Sequence, residues 1–107
     1  NTNAGVILQN VNFTVEMKLK SLEKGLLAAM LTFNGVDSLQ ITDITVFNQV
    51  SDLEINISKV KQVNVNTCQI MVKLKILNSF VQPPVLSITT NTGNYLFALP
   101  IVITKYI

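Results

Sequence analysis

The sequence predicts an all-β fold, an immunoglobulin-like antiparallel β-sandwich of about eight strands. Three observations carry this. Apolar and polar residues alternate with period two in several runs, as in strands with one buried face. Turn signals recur between the runs, among them Asn34-Gly35, Pro83-Pro84 and Asn91-Thr92-Gly93-Asn94. No segment makes a persuasive helix.

Gly5 to Leu8 reads as a short first edge strand. In Phe13 to Lys20, Phe13, Val15, Met17 and Leu19 share one face, and Thr14, Glu16, Lys18 and Lys20 the other. Ser21 to Gly25 reads as the turn that closes it. Leu26 to Phe33 is rich in helix formers but short, and bounded by Gly25 and Asn34-Gly35. It reads as a strand buried on both faces, with a helix as the alternative. Leu39 to Phe47 alternates and then slips phase across Thr42-Asp43, which predicts a bulge. Leu53 to Ser58 alternates again. Val63 to Leu77 reads as one long strand, with Cys68, Ile70, Val72, Leu74 and Ile76 inward and Gln69, Met71, Lys73 and Lys75 outward. Val85 to Thr90 is the next strand, joined by a hairpin to Asn94 to Ile107. That last stretch is apolar on both faces and contains Pro100, which donates no ladder hydrogen bond, so an edge position or a bulge is expected there.

The 107 residues make about one domain, with no linker, repeat or low-complexity tract. With 49% apolar and 13% charged residues, the chain is too apolar for disorder. Its low charge suits either an Asn/Ser/Thr-rich surface or burial against a neighbouring domain. All eight basic residues are lysines, and zero arginine argues against a nucleic-acid partner. A single cysteine, Cys68, leaves no internal disulfide, which fits a reducing compartment. No apolar run approaches the roughly 18 residues of a membrane span. Asn12-Phe13-Thr14 and Asn56-Ile57-Ser58 match the glycosylation pattern, which an Asn-rich chain meets by chance.

The absence of histidine removes the commonest general base, the Ser-His-Asp and Cys-His arrangements, and imidazole metal ligands. The six acids are scattered, without the pairing of a glycosidase or the loop spacing of a calcium site. Cys68 lies on an apolar strand face with no basic partner and reads as a core thiol. There is no phosphate-binding Gly-rich loop. No enzyme activity, cofactor or metal is therefore expected. Lys18, Lys20, Lys73 and Lys75 fall on outward faces and form a basic stripe if their strands are neighbours. Such lysines either discourage edge pairing or line a shallow groove for a peptide, their stems packing on an aromatic residue and their charges attracting an acidic motif.

Three passages resemble the appendage, or ear, domain of clathrin-adaptor large subunits, most closely the β-sandwich subdomain of the α-adaptin type. They are Ala4-Gly5-Val6-Ile7-Leu8-Gln9-Asn10, then Asn78-Ser79-Phe80 with Pro83-Pro84-Val85-Leu86-Ser87-Ile88, then Leu99 to Ile107 with its Leu-Pro-Ile…Lys order. The resemblance implies a cytoplasmic protein-interaction module, peripheral to the membrane at clathrin-coated pits or vesicles. Its implied partners are accessory endocytic proteins bearing short aromatic motifs, and the other adaptor subunits through the rest of the polypeptide. It also implies a platform subdomain after Ile107. In the family a side site on the sandwich holds Trp-x-x-Phe-type peptides with a lysine, a phenylalanine and a glutamine. Lys18 matches the lysine, the aromatic position falls at Ala29–Leu31, and the glutamine position falls at Thr67, with Gln69 two residues on. The peptide groove that the resemblance implies is thus Lys18, Ala29, Leu31, Thr67 and Gln69, departing from the family at the aromatic and glutamine positions. A shorter γ-type ear without a platform remains open. So does a structural or adhesive immunoglobulin-like domain of a surface or secreted protein with the two sequons in use.

Overall fold

A computed structural model describes residues 6–7, 13–48 and 51–103, with only the backbone at 6–7. Gly5, Leu8, Asn12 and residues 104–107, which carry part of the expected end strands and one sequon, lie outside the described residues. The described residues build nine strands, all paired antiparallel: β1 (Val6–Ile7), β2 (Thr14–Glu23), β3 (Leu26–Asn34), β4 (Ile41–Asn48), β5 (Leu53–Ile57), β6 (Lys61–Asn64), β7 (Thr67–Ile76), β8 (Val85–Thr90) and β9 (Gly93–Ala98). Two sheets form an immunoglobulin-like sandwich. One runs β1-β9-β8-β4, the other β2-β3-β7-β5. Strand β6 lies in line with β5 along the same side of β7, because β5 pairs residues 72–76 and β6 pairs residues 67–69.

The period-two pattern explains the core. Ile70, Val72 and Leu74 of β7 and Leu31 and Phe33 of β3 are at most 1% exposed. They meet Leu86, Ile88 and Phe97 from the other sheet in a single cluster. Phe13 caps it edge-on, against Phe33 at 6.1 Å and Tyr95 at 5.4 Å between ring centroids. β3 is a strand, and the helix alternative falls. Its side chains fit the pleat because β2 and β7 saturate both of its edges. Gly35, with φ of 100°, turns the chain out of β3, and the backbone amides of Gly35 and Val36 both donate to the Asn66 carbonyl.

Several expectations need correction. β2 continues to Glu23 through a bulge between Ser21 and Glu23, so the turn is shorter than Ser21 to Gly25. Leu19 does not join the core and is 49% exposed. Leu39 sits in a 3-10 turn, Ser38–Gln40, capped by the Asp37 side chain, and is 89% exposed. The bulge itself falls where the phase slips, between Ile41 and Asp43. Val63 to Leu77 is two strands, folded back at Val65-Asn66. Pro100 neither marks an edge nor bulges a strand. β9 ends at Ala98 with partners on both sides, and the Ile101 amide donates to the Leu99 carbonyl at 2.7 Å. That i-to-i+2 bond makes a three-residue turn centred on Pro100, whose fixed φ suits it. Beyond the turn Phe80 and Ile103 pair through two backbone hydrogen bonds of 2.7 and 2.9 Å. Among the described residues no helix is long and apolar enough to cross a membrane.

Candidate peptide groove

The site is built on the outer face of the sheet that contains β2, β3 and β7. Register fixes which side chains meet there. Three rows cross the strands: Glu16–Thr32–Gln69, Lys18–Met30–Met71 and Lys20–Ala28–Lys73. Neighbouring strands are about 4.8 Å apart, so the outer members of a row stand about 10 Å apart across β3. The basic stripe is therefore not continuous. The lysines of β2 and β7 are separated by β3, and Met30 and Ala28 form the floor between them. Lys75 sits one row further on, opposite Glu54 of β5, where the opposite charges are cross-strand neighbours.

A groove of about 650 Å³ runs over this floor, lined mainly by apolar surface, with Leu19, Leu22, Ala28, Met30 and Met71 joined by Lys18, Lys20 and Gln69. A smaller depression of about 260 Å³ adjoins it, where Lys18, Met30 and Gln69 meet Glu16 and Thr32. Gln69 is held in place because its side-chain amide donates to the Thr32 hydroxyl at 3.1 Å. The groove offers what a peptide site needs: polarizable thioether surface, long lysine stems and an oriented amide.

The structure brings some of the expected site residues together and separates others. Lys18 and Gln69 converge on Met30. Ala29 and Leu31 do not line the groove. Both are 0% exposed, because alternation in β3 sends them into the core and leaves Met30 between them facing out. Thr67 lies on the outer face one row beyond Gln69, where its hydroxyl donates to the Asn34 side-chain oxygen at 3.4 Å, and it is outside both depressions. Met30, Met71 and Ala28 were missed as site residues. The signal for them was present: once Leu31 points inward, strand parity puts Met30 and Ala28 outward.

Elsewhere the chemistry is sparse. Among the described residues no three Cys, Asp or Glu side chains gather as a metal-binding group. Burial first, and the Asp37 charge second, push the Cys68 thiol up to about 11. Its Sγ lies 3.7 Å from the Val36 carbonyl oxygen in the core. A thiol so held is a poor nucleophile at neutral pH. No protein-family model matches this chain, and no curated protein matches it.

Proposed function

We propose that this chain is the sandwich part of a clathrin-adaptor appendage, a module that captures short aromatic motifs from disordered accessory proteins in endocytosis and vesicle transport. The observation that carries the reading is the convergence of Lys18, Met30 and Gln69 over one groove. The β-sandwich and the three resembling passages support it. Lys18 and Gln69 are the residue types that the family's side site uses, and Met30 stands in the stretch where the family has its aromatic. A methionine presents a softer and more adaptable surface to an aromatic ring than phenylalanine does. The partners in this reading are accessory endocytic proteins, and the location is the cytoplasmic face of coated pits or vesicles, reached indirectly through the adaptor complex.

A disordered motif must order on binding, which lowers its affinity to the micromolar range or weaker. The test is a titration of the isotope-labelled chain with a Trp-x-x-Phe peptide, followed by amide NMR. Shifts confined to Lys18, Met30, Gln69 and their strand neighbours are expected. A titration without shifts at these positions would sink the reading.

A further inference from the structure

The groove borders an edge strand of its sheet. Among the described residues, strand β2 is terminal in its sheet and pairs only with β3. Lys18 and Lys20 belong to the outer face of β2, whereas Leu19 belongs to the core-facing side, yet all three line the same groove. Leu19 is also the member of its row left 49% exposed, opposite Ala29, which is fully buried. Alternate backbone groups of this edge point away from β3 and have no strand partner among the described residues.

We propose that the edge of β2 from Thr14 to Lys20 takes an extended acidic-apolar peptide as an added antiparallel or parallel strand. The argument for this occupant is charge and parity. An added strand alternates its side chains between the two faces. On the outer face they meet Lys18 and Lys20, with Lys73 beyond Ala28, and Glu16 is the acid among the outer-face residues of this stretch of β2. On the other face they meet Met17 and the exposed Leu19. The complementary strand therefore carries acids at every second position and aliphatic residues between them. Lys18, Lys20 and Lys73 are all exposed to solvent. The same lysines disfavour edge pairings that bring them together with their counterparts in a second copy of the chain. The bulge between Ser21 and Glu23 ends the regular edge, which limits the added strand to about seven residues. This inference deepens the module reading but places the ligand backbone on the edge, where an aromatic anchor is not required.

The probe is the peptide Val-Glu-Leu-Glu-Val-Glu-Leu with blocked ends, added to the whole chain. Binding is expected to slow hydrogen exchange at alternate amides between Thr14 and Lys20. Affinity should fall by about tenfold or more in the Lys18→Glu, Lys20→Glu double variant, from the loss of two cross-strand charge pairs. It should be abolished by N-methylating the peptide's alternate amides, which leaves its charge unchanged. Both substituted lysines are exposed, and unchanged thermal unfolding of the variant will show that it folds. Binding that survives N-methylation overturns strand addition, as do edge amides already protected in the free protein. Self-association through β2, seen by sedimentation, overturns the assigned occupant. If the acidic peptide fails while a Trp-x-x-Phe peptide still shifts Met30 and Gln69, this inference falls and the module reading stands. The converse result removes the aromatic motif and keeps the edge.

Discussion

The most informative perturbation compares two adjacent residues of β3. Leu31 is 0% exposed and joins the core, whereas Met30 is half-buried on the groove floor. Truncating a fully buried leucine removes its transfer free energy and leaves a cavity, together about 2–5 kcal/mol. The surroundings of Leu31 include Met17 and Ile70 as direct strand partners, on a strand paired at both edges, so little collapse is available. A cost of about 3 kcal/mol for Leu31→Ala is expected. For a domain of this size that lowers Tm by about 12–24 °C. Met30→Ala should cost less than about 1 kcal/mol, because its side chain keeps solvent contact. Thermal and urea unfolding followed by circular dichroism measure both. The peptide response should invert the order: Met30→Ala weakens Trp-x-x-Phe binding, and Leu31→Ala, measured well below its Tm, does not. A one-residue slip in register exchanges the two faces of a strand. Equal costs, or a larger cost for Met30→Ala, would therefore refute the register from which the whole site is built.

Three further outcomes follow from particular residues. Lys18→Glu should weaken peptide binding several-fold while leaving the urea midpoint nearly unchanged, since an exposed charge contributes little to stability. Gly35→Ala should destabilise the chain by about 1–2 kcal/mol in urea unfolding, because φ of 100° strains any residue with a Cβ. The Cys68 thiol, raised from 9.0 to about 11, should resist thiol reagents until the chain unfolds. Its sign in pH is fixed: above pH 9 the unfolded thiol loses its proton while the folded one keeps it, so its contribution to stability declines between about 9 and 11. Urea titrations across this range, compared with Cys68→Ala, isolate that contribution from the lysines. Equal pH slopes in the two proteins would contradict it.

The strands with one buried face were legible because their alternation was unbroken. Cys68 to Ile76 shows this best, with each inward residue buried as expected. The break at Val65-Asn66 was hidden. Every residue of β6 is exposed, so no buried face records its phase, and Val65 is no turn signal. Leu39 misled because hydrophobicity suggested a core position, whereas the Asp37 cap and the 3-10 turn present it to solvent. Part of the groove was legible as well. Lys18 and Gln69 carried the signal of outward polar residues, and their convergence needed only a β3 strand between them. Ala29 and Leu31 follow from the position of a stretch, which does not distinguish its two faces. Applying the parity of β3 to that stretch selects Met30.

The central claim is that the outer face over Met30 holds a peptide. Its most direct test is an intermolecular NOE experiment on the chain carrying methyl-labelled methionine, in complex with a Trp-x-x-Phe peptide. NOEs from the Met30 methyl to the indole ring, with weaker ones from Met71, are the predicted result. An indole that instead contacts Met17 on the core side, or no methionine methyl at all, would contradict it.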